Sequence, residues 1–380
     1  MARNDSIEPM ASRPDSIRGS AGRWLRSPPG FVLVVLVVLG AVEAGLRLGL
    51  GYGNPRLVLP DDELGYRLQP GQVVQGPRGT TERINSKGYR EREFSGPVPA
   101  LSARGPRIVV LGDSVSYGVG VDAAQTWPHQ LERGLHAQGY QGAQVLCLSV
   151  PGYTAEQMLR TYARDGERLR PDVVAIELTS YSIRPMRQLS EPHQFPLANA
   201  LRRTAVWDFL RRKHWARPGA DGLRLEQAVL TSPHAPENEA RWRLCESMLK
   251  DLARSLHARG ALLVIVATPR LDLGLDPTRE EPRWRDFAQA SQGLLYVSAA
   301  QSLHARLKPL LAEFQRQGLQ PSTAWKTERG LETALRASQS PACFLPGDSP
   351  HLDEIGHEVV AGCVLSAMKD WLLAWSRVVR

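Results

Sequence analysis

The sequence has little cysteine and none of the spacings that hold a metal ion. Its four cysteines, Cys147, Cys245, Cys343 and Cys363, form no Cys-x-x-Cys pair and no cluster with histidine. A structural zinc site is therefore excluded, because such sites need closely spaced Cys and His ligands. The cysteines are also too few for a disulfide scaffold, although an even number is compatible with one or two bridges in an oxidising compartment. If a bridge forms, the expected pair is Cys343 with Cys363, both in the C-terminal segment.

Long charge runs and internal repeats are absent as well. Lys and Arg total 47 against 39 for Asp and Glu, and this net charge of +8 is spread over 380 residues without a block of like charges. A nucleic-acid partner is therefore not indicated. Hydrophobic residues at 42% and charged residues at 23% are ordinary globular usage, which excludes a wholly disordered or collagen-like chain. The length fits one large α/β domain with insertions as well as two domains.

One long apolar run lies near the N-terminus. It is unbroken from Gly30 to Val42 and continues through Glu43 and Arg47 to Leu50. At a helical rise of about 1.5 Å per residue, such a segment just crosses a hydrocarbon core of roughly 30 Å. Glu43 and Arg47 are four residues apart, so they share one helix face and can pair near the end of the span. The run predicts a transmembrane anchor over residues 30–50.

Basic residues ahead of the run predict its orientation. They follow the last acidic residue, Asp15, and are Arg18, Arg23 and Arg26. The positive-inside rule then makes residues 1–29 a cytoplasmic tail and places everything after Leu50 outside the cytoplasm, in the periplasm of a Gram-negative cell. Two alternatives remain, a buried core helix and a signal peptide cleaved near Val42-Glu43-Ala44. A bacterial lipoprotein anchor is excluded, since no cysteine follows the run closely.

Residues 51–104 contain many turn residues and few signs of regular elements. Two short motifs lie among them, Leu64-Gly65-Tyr66-Arg67 and Asn85-Ser86-Lys87-Gly88-Tyr89-Arg90. The stretch is predicted to be an irregular extension that runs along the main domain. Proline and glycine then mark a linker up to Pro106, after which the pattern changes sharply.

From residue 105 onward, apolar strands alternate with helical patterns. Strands are predicted at 107–111, 143–148, 172–178, 261–267 and 293–298. Helices are predicted at 124–138, 154–169 and 237–258, with one final helix from about 353 to 379. The stretches 183–236 and 318–347 show no strong period and are interpreted as insertions. Strands alternating with helices at this spacing predict a parallel sheet covered by helices on both faces, within one domain over 105–380.

A basic, aromatic-rich segment lies inside the first insertion, at residues 200–217. It mixes Trp207, Phe209 and Trp215 with several Arg and Lys residues. Such a segment can lie on an anionic membrane surface. The alternative is a solvated helix that packs its aromatic side chains on the main domain.

A turn with catalytic character follows the first strand of this domain. Gly112-Asp113-Ser114 comes directly after the strand, and Gly118 and Gly120 come soon afterwards. Sites in parallel sheets form beyond the carboxyl ends of the strands, which is where this turn falls. A serine near a helix start has a protruding hydroxyl and leaves backbone N–H groups free to face an anion. Alternatively, Asp113 and Ser114 merely cap a helix.

A second motif lies near the C-terminus, at Asp348-Ser349-Pro350-His351. A serine needs a base to act as a nucleophile at neutral pH, and histidine oriented by a carboxylate is the usual one. Asp348 and His351, three residues apart before the last helix, can supply both groups from one loop. Alternatively, His351 is simply exposed beside a helix start marked by Asp353.

Together, these motifs resemble those of the SGNH hydrolases, the GDSL-type esterases and lipases, over roughly residues 105–375. The resemblance implies a flavodoxin-like three-layer α/β/α fold with a parallel sheet. It also implies that Ser114 is the nucleophile and that Asp348 and His351 complete the triad. The N-terminal helix and the Asn-Ser-x-Gly-Tyr-Arg motif are similar to those of a membrane-anchored bacterial subgroup.

The same resemblance implies an oxyanion hole with three donors. Two are the backbone N–H groups of Ser114 and of Gly152, which follows Val150-Pro151 after the second strand. The third should be an asparagine after the third strand, but Tyr181 stands there and Thr179 replaces the expected glycine. Losing one donor typically costs about 10²–10³ in turnover. The hydroxyls of Thr179, Ser180 and Tyr181 are the candidates to replace it.

These expectations describe a membrane-tethered, extracytoplasmic serine esterase that needs no cofactor and no metal. By resemblance, its substrate is a carboxylic ester, either an O-acetyl group on an envelope polysaccharide or a short acyl ester. One alternative is a polysaccharide O-acetyltransferase that uses the same triad. Another is a non-catalytic, glycan-binding envelope protein that kept the fold, which Tyr181 favours and the intact Ser, Asp and His oppose.

Overall fold

The computed structural model describes residues 27–50, 53, 56–94, 105–186, 201, 204–210, 229, 232–269, 282–319, 328–339, 341–345 and 351–379. The first helix, α1 (Pro28–Leu50), covers the predicted anchor. Its stretch Pro28–Gly49 is long and apolar enough to cross a membrane, with a mean hydropathy of 2.3 and no residue of the apolar window buried. Arg47 donates to Glu43 at 2.7 Å, as their four-residue spacing predicts.

The extension after α1 is more regular than its sequence suggests. It forms two antiparallel hairpins, β1 (Val58–Asp61) with β2 (Gly65–Leu68) and β3 (Val73–Gln75) with β4 (Thr81–Arg83). Strands of three or four residues are too short to show the alternation by which strands are recognised. The hairpins are ordered by packing instead, because Leu64, Tyr66 and Leu68 are buried against the main domain.

The main domain is built on a five-stranded sheet of parallel strands. They are β5 (Arg107–Leu111), β6 (Gln144–Cys147), β7 (Val173–Leu178), β8 (Leu262–Ala267) and β9 (Leu294–Ser298), in the order β6-β5-β7-β8-β9. Each strand matches its predicted position to within about one residue at either end. The inner strands are buried on both faces, with a separate hydrophobic cluster on each side, as expected for a sheet between two helical layers.

Helices cover both faces of this sheet. In chain order, the helices of the domain are α2 (Ser114–Tyr117), α3 (Trp127–Ala137), α4 (Ala155–Thr161), α5 (Ala205–Leu210), α6 (Glu239–His257), α7 (Pro282–Gln289), α8 (Ala300–Arg316), α9 (Glu328–Ser338), α10 (Glu354–Ala367) and α11 (Lys369–Val379). Of these, α5 packs on α1 rather than on the sheet. The arrangement confirms the predicted three-layer α/β/α fold class.

The structure corrects two of the predicted helices. The single final helix is in fact two, α10 and α11, bent by 50° around Met368. The bend keeps Met368 and Leu372 buried in the core, while the hydrophobic period continues unbroken through it. The helix predicted at 154–169 also ends early, because the chain widens into a π turn at Tyr162–Gly166 and tightens into a 3₁₀ turn at Glu167–Leu169.

The predicted disulfide between Cys343 and Cys363 is wrong, since all four cysteines are free. The carbonyl of Cys343 accepts a hydrogen bond from the N–H of Asp353, just before α10. Cys363 lies ten residues further along that helix, about 15 Å away at the usual helical rise. A disulfide needs Cα atoms within about 7 Å, so the two thiols are too far apart to bond.

One edge of the sheet is closed by carboxylates. Strand β6 pairs only with β5, so alternate N–H groups of β6 face outward. The N–H of Val145 donates to Glu132 at 2.6 Å, and the N–H of Cys147 donates to Glu91 of the extension at 2.9 Å. The outward N–H groups of both residues are therefore satisfied within the chain.

Helix α1 also contacts the main domain, through α5. The Glu43 carboxylate accepts the N–H groups of Ala205 and Val206 at 2.7 and 3.1 Å, which caps the first turn of α5. The buried Asp208 carboxylate accepts the N–H of Gly53 at 3.2 Å. Within the basic, aromatic-rich segment, residues 211–217 lie outside the described part of the chain.

Candidate active site

Ser114 is the first residue of α2, directly beyond the carboxyl end of β5. Asp113 takes the capping role, since its carboxylate accepts the N–H of Val115 at 3.0 Å. Ser114 is half-exposed, and neither its hydroxyl nor its N–H bonds to another residue that the structure describes. The turn therefore presents both a hydroxyl and a backbone donor at the edge of the sheet where a site is expected.

A buried glutamate of the sheet fixes this turn through hydrogen bonds. Glu177, in β7, accepts the N–H and the hydroxyl of Ser116 at 2.8 and 2.5 Å, and the hydroxyl of Thr268 at 3.0 Å. The indole N–H of Trp127 donates to the Ser116 hydroxyl in turn. Burial raises the pKa of Glu177 to about 8, and the charge of nearby Asp113 adds to the rise. The only sequence signal for Glu177 was an acidic residue inside an apolar strand.

The second motif of the extension, residues 85–90, also holds this turn through hydrogen bonds. The guanidinium of Arg90 donates to the carbonyls of Tyr117, Gly118 and Val121 at 3.2, 2.6 and 2.7 Å. The side chain of Asn85 accepts the N–H of Tyr89 at 3.0 Å, which shapes the loop that carries Arg90. The carbonyls around the end of α2 are thus satisfied by a charged residue from outside the domain's sheet.

The first hairpins contribute a buried ion pair to this support. Arg56 donates to the fully buried Glu82 at 2.6 Å, and the Tyr117 hydroxyl donates to the same carboxylate at 2.7 Å. The guanidinium of Arg56 also lies 4.7 Å from the centre of the Tyr117 ring. Because Tyr117 belongs to α2, the extension is part of the framework that fixes Ser114.

His351 sits on a loop that packs toward the same turn. Its carbonyl accepts the N–H of Leu345 at 2.9 Å, beside a bridge between Phe344 and Leu352. The Leu345 side chain lies against Gly120, where an added Cβ would come within 2.3 Å of it. The loop that carries His351 is therefore packed on the segment that follows Ser114.

A second histidine, His357 of α10, contacts the start of α3. Its Nδ1 accepts the N–H of Trp127 at 3.1 Å. Burial, together with the charge of Arg90 and the neighbouring His351, lowers the pKa of His357 to about 3. Arg90 and His351 both lie near enough to His357 to act on it electrostatically. Asp348, the predicted third member of the triad, lies outside the described residues.

The pairing of β6 with β5 continues into the loops that carry Gly152 and Ser114. The N–H of Leu148 donates to the carbonyl of Val110 at 2.8 Å, and the N–H of Val150 to that of Gly112 at 3.3 Å. Gly152 follows Val150 by two residues, as Ser114 follows Gly112, and its φ of +84° favours glycine. Its N–H has no acceptor among the residues described, so it remains available to a ligand.

The segment after β7, where the third oxyanion donor was expected, contains no asparagine and is arranged differently. The N–H of Thr179 donates to the Ser182 hydroxyl at 3.0 Å, so this amide is already engaged. Ser180 and Tyr181 begin a 3₁₀ turn and are half-buried. The guanidinium of Arg184 covers the Tyr181 ring at 3.9 Å from its centre. The Thr179 hydroxyl lies 3.4 Å from that of Ser182. The hydroxyls of Thr179, Ser180 and Tyr181 all remain candidates for a third donor.

Metal ligands do not gather in the described part of the chain, where no group of three or more His, Cys, Asp or Glu residues is placed to hold an ion. The residues collected at this edge of the sheet are instead a serine, a histidine and backbone N–H groups. That combination is suited to acyl transfer, in which a hydroxyl attacks and backbone donors receive the negative charge.

Several solved structures are similar to this chain at low sequence identity. A structure of TesA is 16% identical over 70% of this chain and 98% of its own, with a TM-score of 0.38. The esterase EstA from Pseudoalteromonas sp. is 14% identical over 70% and 98% of the two chains, with a TM-score of 0.35. A catalytic mutant of an acetylxylan esterase from Geobacillus stearothermophilus is 12% identical over 69% and 94%, with a TM-score of 0.37.

No curated protein matches the chain. The model of the GDSL-like lipase/acylhydrolase family, however, matches residues 110–358. The matched stretch begins in β5, includes Ser114 and His351, and covers more than half of the sequence. The chain therefore belongs to the GDSL-like lipase/acylhydrolase family.

Proposed function

We propose that this protein is a serine esterase that hydrolyses a carboxylic ester through Ser114, His351 and Asp348. Two observations carry the proposal together: the Ser114 hydroxyl bonds to none of the residues that the structure describes, and the loop of His351 packs on the segment that follows Ser114. Membership of an acylhydrolase family supports the same chemistry. The substrate class that we propose is an O-acetyl group on an envelope polysaccharide or another short acyl ester.

In the proposed reaction, the Ser114 oxygen attacks the ester carbonyl while His351 takes the hydroxyl proton. The N–H groups of Ser114 and Gly152 receive the negative charge that develops on the carbonyl oxygen. The C–O bond then breaks, and His351 returns the proton to the departing alcohol. Water repeats the attack on the acyl-enzyme, with His351 again as the base and Asp348 orienting its ring.

We further propose that α1 is retained as a membrane anchor and that the domain lies outside the cytoplasm. The exposed apolar surface of α1 supports a span, and the basic residues before it support a cytoplasmic tail over 1–29. Cleavage after Ala44 would remove Glu43, whose carboxylate caps α5 of the main domain. We propose domain limits of 30–50 for the anchor, 51–104 for the extension and 105–380 for the catalytic domain.

Fluorophosphonate labelling of the full-length protein in detergent tests the catalytic proposal. A fluorophosphonate reacts with activated serines, so we expect the label on Ser114, located by mass spectrometry. Ser114→Ala and His351→Ala should abolish labelling, whereas Ser86→Ala, an exposed serine of the extension, should not change it. A folded wild-type protein that takes no label would contradict the esterase and favour the glycan-binding alternative. Intact mass of the membrane-bound protein tests the anchor, because a chain beginning at residue 45 would contradict it.

Hydrolase and transferase are separated by the fate of the acyl group. With an acetylated substrate and no sugar acceptor, the proposed esterase releases acetate at a steady rate. With an added oligosaccharide, an O-acetyltransferase would instead move the acetyl group onto a sugar hydroxyl. Mass spectrometry of the oligosaccharide detects that product, and acetate release at the expense of transfer supports the esterase.

A further inference from the structure

The first motif of the extension, Leu64-Gly65-Tyr66-Arg67, reaches the predicted oxyanion loop. The Tyr66 hydroxyl donates to the carbonyl of Pro151 at 2.9 Å. The Tyr153 hydroxyl donates back to the Tyr66 carbonyl at 2.7 Å, and the two rings meet edge to face at 5.3 Å. The Gln157 side chain adds a bond of 2.6 Å to the Leu64 carbonyl. The hairpin is thus joined to the loop that carries Gly152.

The acceptor of the Tyr66 bond belongs to the same peptide group as the Gly152 N–H. In a planar trans peptide the carbonyl and the N–H point in opposite directions, so holding the Pro151 oxygen also aims the Gly152 hydrogen. Donation to that oxygen further polarises the N–H and strengthens it as a donor. An added Cβ at position 152 would lie 2.7 Å from the Tyr66 hydroxyl, which shows how closely the phenol approaches.

The peptide on the other side of Gly152 is held by Arg184. Its guanidinium donates to the carbonyls of Gly152 and Tyr153, and to the carbonyl of Tyr181 at 3.1 Å. Arg184 is buried, so these bonds are made away from bulk water. Glycine has the most rotational freedom of any residue, and here both of its flanking peptides are fixed by side chains.

From these contacts we infer that Tyr66 is a positioning residue for the oxyanion hole, with Arg184 holding the opposite peptide. The inference rests on the proposed esterase function of Ser114. Because Tyr181 replaces the expected asparagine, the hole depends above all on its two backbone donors, whose direction must be set before the reaction. The extension would then contribute to turnover without touching the substrate.

The test compares Tyr66→Phe with Tyr153→Phe in the full-length protein. Both changes remove one buried hydroxyl between the same two segments, but only the first hydroxyl bonds to the peptide that carries the Gly152 N–H. With p-nitrophenyl acetate we expect kcat to fall about tenfold in Tyr66→Phe with KM nearly unchanged, because a misaimed donor weakens binding of the transition state alone. Tyr153→Phe should keep kcat within about twofold of the wild type, since its bond leaves that peptide untouched.

Each result bears on the inference. An equal loss of kcat in both variants would overturn it, because a general loosening of the contact between the hairpin and the loop would explain the loss. An unchanged kcat in Tyr66→Phe would overturn it as well, because the Tyr66 hydroxyl would then have no role in turnover. If Tyr66→Phe does not fold, Arg184→Lys tests the opposite peptide, and an unchanged kcat there overturns the inference. A wild-type protein without hydrolysis and without label on Ser114 rejects the proposed function, and the inference falls with it.

Discussion

Glu177 is an acidic residue that the fold keeps protonated near neutral pH. It lies inside β7 with almost no exposed surface, and burial together with the charge of Asp113 raises its pKa to about 8. An unfolded chain would release this proton near the usual glutamate value, about 4.3. The folded protein therefore binds one more proton than the unfolded chain at intermediate pH.

This difference predicts how stability changes with pH. The free energy of unfolding should fall as pH rises from about 4.5 to about 8, by at most about 1.4 kcal/mol per pH unit for one proton. Glu177→Gln removes the titration and keeps an acceptor for the Ser116 N–H, so its stability should lack that fall. Urea unfolding of both proteins across this range measures the difference. Parallel curves for the two proteins would show that Glu177 does not carry the effect.

Single contacts of this kind explain which site residues the sequence could predict. Ser114 and Gly152 lie in local motifs directly after strands, where the chain itself signals a turn. Glu177 and Tyr66 act on residues 61 and 85 positions away, so no local pattern carries their roles. Asp113 was interpreted as part of a catalytic or capping turn, and its capping bond to Val115 is present.

At the scale of elements, the loop of His351 depends on its fit against Gly120. Gly120→Ala would place a methyl group within 2.3 Å of Leu345, at a φ of +85°. We expect lower stability and a loss of kcat of about tenfold or more, because small displacements of catalytic groups are costly. Gly139→Ala is the matched control, with a φ of +94° and no atom near the added methyl.

Comparing the two variants distinguishes the effect of backbone strain from the effect of displacing the loop of His351. Both pay about 1–2 kcal/mol for a left-handed alanine, so their melting temperatures should both fall. Only Gly120→Ala should lose kcat in ester hydrolysis. Equal activity in the two variants would mean that the Leu345 contact does not hold His351 in place.

Some helices and strands could be predicted from the sequence, and others could not. The parallel strands were predicted closely because continuous apolar runs such as Leu262–Ala267 are unambiguous between turns. The hairpins of the extension were missed because their strands have only three or four residues. The bend at Met368 was invisible because the apolar period runs through it, and only packing against the core decides it.

At the scale of the whole molecule, Glu43 links the proposed anchor to the catalytic domain. Its carboxylate accepts the N–H groups of Ala205 and Val206. Glu43→Ala should therefore speed hydrogen exchange at these two amides by about 10- to 100-fold, since one lost charged acceptor is worth about 1.5–3 kcal/mol. Exchange measured by mass spectrometry on peptides covering α5 reports the change. Glu63→Ala, an exposed acidic residue of the extension, should leave the exchange unaltered; an unaltered rate in Glu43→Ala would contradict the link.

Proteins held in one membrane surface meet one another far more often than proteins in free solution, and an open sheet edge invites a strand from a neighbouring copy. Along β6 the outward N–H groups of Val145 and Cys147 already donate to Glu132 and Glu91. An incoming strand would have to expel both carboxylates, and the buried Glu91 would lose the hydrogen bond that its Oε2 accepts from the N–H of Cys147. In the proposed membrane-anchored form, crowding within the membrane surface therefore gives neighbouring copies no strand-by-strand route to aggregation along this edge.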